Sequence, residues 1–235
     1  MSIFQFKRFA IRHASSAMKV GTDAVLLGAW AFRNLRMDKG CGLDVGSGCG
    51  VITLMMAQRF PQIQWEGIDL NLNAAKETRD NALRSPFADN ITVSHGDFLL
   101  KAFDHPIDLI ICNPPYYQDA LESNDEDRNM ARQERFLMPD LFLEKAYRIG
   151  SDDCHLAVVL PLDRKEYWKK SAERVGWLLS RECAVKGNQD AKANRFLIEW
   201  TKTSKGSVWH SELTLEASRG ARTKEYQALT ADFYL

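Results

Sequence analysis

CGLDVGSGCGVITLMMAQRF, Cys41 to Phe60, is the stretch that decides the fold. Its apolar start, Cys41 to Val45, reads as a short buried strand, GSGCG as its turn, and VITLMMAQRF as a helix that Pro61 stops. Asp44 lies at the carboxyl end of the strand, and glycines follow at 46, 48 and 50. Glycine tolerates positive φ and lets a ligand approach the backbone, at the place where open α/β sheets bind ligands. A dinucleotide fold asks for G-x-G-x-x-G, but the third glycine position here is Val51 and the glycines alternate instead. Any tight strand-to-helix turn would also use glycine, so this turn needs company before it means a ligand.

Outward from this unit, strand and helix alternate. GTDAVLLGAWAFRNL, with Thr22 placed as an N-cap, is a helix before it, and IQWEGIDL is a strand after it. NLNAAKETRDNALRS, PDLFLEKAYRIG and RKEYWKKSAERVG read as helices, and NITVSHGD, PIDLIICN and HLAVVLP as strands. The rhythm changes at WLLSRECAVK and RFLIEWTK, two neighbouring strands with no full helix between them. Alternation predicts a doubly wound parallel α/β sheet, and the late pair predicts an antiparallel edge. QDALESNDEDRNMARQER is the longest candidate loop.

The chain has 235 residues, with 31 Lys+Arg balanced by 31 Asp+Glu. That length suits one α/β domain with a small appendage, and the neutral balance excludes a global field that would draw in nucleic acid. The five cysteines are dispersed, without CxxC pairing or zinc spacing, so no disulfide framework and no metal site is expected. No apolar run is long enough to span a bilayer, and MSIFQFKRFAIRH lacks a signal-peptide core. A cytoplasmic, soluble protein is expected.

Three acids close three successive strands: Asp44, Asp69 in EGIDL and Asp97 in HGDF. Asp69 can accept both hydroxyls of a ribose, and Asp97 can accept from an adenine amino group. A lone Asp after a strand is usually a turn residue. Three in succession fit S-adenosylmethionine better than a nicotinamide dinucleotide. A further strand ends abruptly in LIICNPPYYQD, Leu109 to Asp119. A planar amino group conjugated to a ring or carbonyl is a poor nucleophile, because its lone pair is delocalised. Acceptors aimed at its hydrogens let the nitrogen pyramidalise and attack in line. Asn113 offers a side-chain carbonyl and Pro114 a backbone carbonyl, while Pro115 has no N–H and stiffens the loop. Tyr116 offers a flat face for a planar substrate.

LDVGSGCG, GIDL, HGDF and NPPY, in this order and spacing, resemble the class I S-adenosylmethionine-dependent methyltransferases. The resemblance implies a seven-stranded, Rossmann-like sheet whose last strand is antiparallel, and cofactor roles for Asp44, Gly46, Gly48, Asp69, Asp97 and Asn113. It also implies catalytic roles for Asn113, Pro114 and Tyr116. NPPY occurs in adenine N6 methyltransferases and in the protein glutamine methyltransferases that modify release factors. The latter carry a helical domain ahead of the catalytic one, for which the residues before Leu43 leave no room.

FKRFAIRHASSAMKVGTDAVLLGAW, NPPYYQ, ARQERFL and the terminal YQALTADFYL resemble the bacterial enzymes that methylate N6 of adenine 37, just 3′ of the anticodon, in tRNA1(Val). That resemblance implies an N-terminal extension over 1–40, a basic arm and helix packed on a catalytic domain over 41–235. It adds Lys19, Gly21 and Thr22 as cofactor contacts and the anticodon stem-loop of tRNA as partner. A neutral protein must gather its cations locally to hold RNA. Lys7, Arg8 and Arg12, interleaved with Phe4, Phe6 and Phe9, have the composition of an RNA-contacting arm, and equally that of a solvated amphipathic end. Arg132, beside the active-site loop, and Arg195, opening a late strand, are further candidates. Two other readings of the same residues are a protein or small-molecule N-methyltransferase and a non-catalytic RNA-binding module.

Overall fold

Strand β1 (Ser2–Gln5) and β2 (Ala10–His13) form an antiparallel hairpin, and α1 (Thr22–Trp30) follows. The chain continues through β3 (Gly40–Val45), α2 (Val51–Arg59), β4 (Ile63–Asp69), α3 (Leu72–Leu83), β5 (Ile91–His95) and β6 (Ile107–Cys112). Then come α4 (Pro139–Ile149), β7 (Gly150–Pro161), α5 (Leu162–Val175), β8 (Leu178–Asn188), β9 (Arg195–Thr201), β10 (Trp209–Ser218), β11 (Ala221–Arg222) and α6 (Lys224–Thr230). This computed structural model describes residues 2–13, 20–115, 138–203 and 206–234. Lys19, Tyr116, Arg132 and the long polar loop lie outside the described residues.

One sheet holds β11-β10-β8-β9-β7-β6-β3-β4-β5 in that order. The pairs joining β7, β6, β3, β4 and β5 are all parallel, and β9 alone among β7, β8 and β9 runs opposite. A parallel sheet is covered on both faces, which is why β3, β6 and β7 are near-continuous apolar runs without alternation. Leu54, Met55, Leu109, Ile111 and the hairpin's Phe6 and Ile11 pack in one core on one face. Leu43, Ile110, Phe142 and Trp168 pack in a second core on the other.

The seven strands expected from the sequence are β3 to β9, and the sheet extends beyond them to nine. The addition went unread because Trp209 to Glu212 are exposed and carry His, Ser and Glu, so apolar alternation is absent until Leu213. β11 is two residues long and shields the open edge. The late antiparallel pair is therefore not at an edge: β9 sits between β7 and β8. Thr22 is not the cap of α1. Gly21 holds that position with extended dihedrals, and Thr22 is the first helical residue. The aromatic residues of the N-terminal arm also turn inward. Phe6 stacks on Phe9 and on Tyr234 with ring centroids 4.6 and 5.9 Å apart, and both phenylalanines are buried. Those rings pack the hairpin onto the fold and offer no platform for bases.

α1 ends in an unusual turn. Phe32 has φ +58°, a conformation that costs a non-glycine residue about 1–3 kcal/mol. Its N–H donates to Glu199 Oε2 at 3.0 Å, and that oxygen also meets Arg181 at 3.2 Å, while Oε1 meets His155 Nδ1 at 3.3 Å. All three side chains are buried, and burial lowers the Arg181 pKa against the attraction of Glu199. Removing the carboxylate leaves a buried guanidinium and a buried N–H without it. Glu199→Ala should lower unfolding free energy by about 3–5 kcal/mol in a denaturant titration.

Candidate active site

Within the all-parallel run from β7 to β5, β3 is the strand whose two neighbours are reached by connections running to opposite sides: β4 after α2, and β6 after the chain returns from β5. Such a reversal opens a crevice at the carboxyl ends of the strands. Register places the candidate residues along it. Val45 pairs with Ile68 and with Cys112, and Asp69 pairs with His95. Gly46, Asp69 and Asn113 therefore leave their strands at the same level, and Asp97 follows two residues after His95. From β6 to β5 is three strand spacings, roughly 14 Å.

The glycine turn is built by its neighbours. Gly46, Gly48 and Gly50 have φ of 77°, 58° and 85°, so each lies in the region side chains avoid. The N–H groups of Gly46 and Ser47 donate to Ile68 O at 2.8 and 3.1 Å. Thr78 Oγ1, from α3, donates to Gly48 O at 2.8 Å and lies 3.1 Å from Ser47 Oγ. Asn81, one turn on, donates to Cys49 O and to Arg12 O, and accepts from Arg12 N–H. Thr78 and Asn81 thus tie the turn to α3 and the hairpin to the turn. Among the described residues, a Cβ added to Gly48 or Gly96 would meet no atom within 4 Å, so none of them fills the space beside the backbone at these two strand ends.

Asp69 accepts from Gly48 N–H through Oδ2 and from Asn71 N–H through Oδ1, both at 2.8 Å. Burial raises its pKa, and the two donors pull it back. Each oxygen keeps a second lone pair for a hydroxyl. Asp97 is half-buried, and its Oδ1 accepts from Leu99 N–H at 2.8 Å. Asn113 is half-buried and Pro114 buried, at the end of β6. Gly21 and Thr22 are exposed at the start of α1. Arg195 Nε donates to Asp23 Oδ2 at 2.9 Å, which fastens the start of α1 to the sheet.

Asp44 is fully buried. Thr53 Oγ1 donates to its Oδ2 at 2.5 Å, and among the described residues its Oδ1 has no hydrogen-bond partner. Burial, with help from the charge of Asp69, pushes its pKa up to about 7 against the Thr53 bond. Thr53, Thr78 and Asn81 escaped the sequence reading. Thr53 does carry a signal, as the one hydroxyl in the apolar run VITLMM. Among the described residues there is no metal-holding group of His, Cys, Asp or Glu, and no helix is long and apolar enough to cross a membrane.

The methyltransferase small domain profile matches residues 21–139. The chain belongs to this methyltransferase family. It is 40% identical over 99% of its length to a Parabacteroides distasonis protein named tRNA1(Val) (adenine(37)-N6)-methyltransferase, covering 97% of that relative. A Porphyromonas gingivalis protein of the same name is 37% identical, with 99% of this chain and 94% of that one covered. A solved structure described as a predicted O-methyltransferase from Agrobacterium tumefaciens superposes with a TM-score of 0.67 at 18% identity, over 90% of this chain and 96% of that one. The fold is that of class I methyltransferases, and the cofactor of this methyltransferase is S-adenosylmethionine. The residues present fit it: an orphaned buried carboxylate oxygen, a ribose-competent Asp69, and space beside Gly48 and Gly96 that no described residue fills.

The Asp44 carboxyl makes stability depend on pH. Its folded pKa lies above the unfolded value near 3.8, so the protonated form favours folding. That stability is fully present below about pH 4 and is lost as pH rises through about 7, on the order of 4 kcal/mol in all. Without added cofactor, Asp44→Asn should flatten the fall in unfolding free energy between pH 5 and 8. A slope equal to that of the parent would refute a buried, titrating Asp44.

Proposed function

We propose that this chain transfers a methyl group from S-adenosylmethionine to the exocyclic N6 of adenine 37 in the anticodon loop of tRNA1(Val). The observation that carries this reading is the placement of Asn113 and Pro114 at the end of β6, in register with the glycine turn of β3. The names of relatives 35–40% identical over nearly the whole chain supply the substrate.

When bound, the cofactor supplies an electrophilic methyl on a sulfonium. In this reading Asp69 holds its ribose and Asp97 its adenine amino group, while Gly46, Gly48 and the Lys19–Gly21–Thr22 segment line its path. Asp44, whose Oδ1 has no partner among the described residues, would offer that oxygen to the cationic methionine end. Asn113 accepts one N6 hydrogen through its side-chain carbonyl, and Pro114 accepts the other through its backbone carbonyl. Drawing both hydrogens out of the ring plane returns the lone pair to nitrogen and aims it at the methyl. No base would be needed at the start: as the N–C bond formed, the S–C bond would break to leave a neutral thioether, and only then would the methylated, now acidic amine pass its extra proton to solvent. Tyr116 stacks on the target base. An anticodon loop presents that base with little pairing to break. Arg12, exposed and braced against the glycine turn, Arg195 and Arg132 meet the loop's phosphates.

Nucleoside mass spectrometry after incubation with the cofactor and unmodified valine tRNA should show N6-methyladenosine. Asn113→Ala should cut the rate about 10²-fold or more, with S-adenosylmethionine still bound in calorimetry. Absence of product from the parent, with cofactor bound, would overturn the tRNA assignment.

The methionine end carries positive charge, so binding favours ionised Asp44. Cofactor affinity should rise as pH increases from 6 to 7 and level off above, by up to about tenfold per pH unit. Asp44→Asn should remove that rise.

A further inference from the structure

At the opposite end of the sheet lies a cavity of about 570 Å³ lined by Lys7, Arg8, Arg33, Gln58, Arg59 and Asp232, among others. α2 begins at the glycine turn and ends at Arg59, so its nine residues, about 13 Å of helix, separate the cavity from the crevice. Lys7 and Arg8, read from the sequence as one cluster with Arg12, are thus set apart from it. They occupy the hairpin's tip, while Arg12 reaches the glycine turn.

Four cations and one carboxylate share this cavity in a chain whose formal charge is zero. Among the described residues, none of the four has a carboxylate within 4 Å, and the ion pairs lie elsewhere. Arg59 is fixed by donating to Gly28 O and Ala31 O at 2.9 and 2.5 Å, and Lys7 Nζ donates to Ala231 O at 2.6 Å. Arg8 lies over the Phe87 ring, 5.2 Å from its centroid. Carbonyls and a ring face hold these side chains without neutralising them. Burial above all, with the nearby charges of Arg33 and Arg181, lowers the Arg59 pKa to about 10 against the attraction of Glu199 and Asp232. Lys7, Arg8 and Arg33 are exposed.

We propose that this cavity is a second phosphate-binding site, which grips the backbone of the substrate RNA at a distance from the target base. The cations continue from Lys7 and Arg8 along β2 to Arg12 at the crevice, four residues or roughly 13 Å further. A track of that extent matches a polyanion that spans both sites better than a free anion lodged in one. Double-stranded stem, read by its phosphates, suits such a site, because contacts of this kind position the RNA without reading sequence.

The inference rests on the tRNA reading, and its test is a binding measurement that does not need turnover. Filter binding would compare full-length unmodified valine tRNA with the isolated anticodon stem-loop, for the parent and for Lys7→Glu/Arg33→Glu. The variant should bind the full tRNA at least about tenfold more weakly, with a salt dependence shallower by about one to two. The loss on the stem-loop should be several-fold smaller. Lys7→Gln/Arg33→Gln should show the same selectivity at smaller size, and a Lys170→Glu control on α5 should not. Full-tRNA affinity equal to that of the parent would overturn the proposal, as would equal losses on both RNAs. A parent that binds tRNA through the cavity yet makes no N6-methyladenosine would instead refute the proposed activity.

Discussion

Parallel pairing of β3 with β4 on one side and β6 on the other is the constraint on which the site depends. Because both pairs end at the same level, the backbone leaves three adjacent strands together, and each departure must be stabilised without a ladder partner. Gly46 and Ser47 solve this by donating back to Ile68 O, and Gly48 by donating to the Asp69 side chain. Asp69 is therefore the brace of the glycine turn as well as, in the proposed reading, the acid offered to the cofactor. A sheet shifted by one residue would turn these side chains to the other face and dissolve the arrangement.

The same economy explains Asp44. A carboxylate buried at the base of the crevice is costly: Oδ2 receives the Thr53 hydroxyl, and Oδ1 has no hydrogen-bond partner among the described residues. The fold tolerates the group by raising its pKa toward neutrality. Retaining a half-satisfied acid under the glycine turn makes physical sense when a cationic ligand settles above it. Local instability here and affinity for the cofactor are two sides of one electrostatic balance.

Much of this was legible in the chain because strand ends carry local chemical signals. Asp69, Asp97 and Asn113 each follow an apolar run, and glycine alternation marks the turn. What was hidden depends on contacts between distant residues. Thr78 and Asn81 sit in an ordinary polar helix, and nothing in NAAKETRDNAL says that one face of it supports the turn of another element. β10 eluded pattern reading because its solvent-facing half lacks apolar alternation. Phe6 and Phe9 suit an RNA-contacting arm or a solvated amphipathic end by composition, and it is distant partners, Phe87 and Tyr234, that place them in the core.

Zero net charge is compatible with RNA binding only if the charges are unevenly used. Many acids and bases of this chain cancel in pairs, as Lys165 does with Glu166, Lys169 with Glu182 and Arg174 with Asp140. Pairs of that kind contribute little field beyond a Debye length of about 8 Å. Lys7, Arg8, Arg33 and Arg59 come from the hairpin and from the ends of α1 and α2, and they converge because the hairpin's aromatic face must be buried against α6 and its tail. The apolar demand of Phe6 and Phe9 thus gathers four cations around a single carboxylate, Asp232. Hydrophobic packing, rather than composition, is what gives a neutral chain a basic surface.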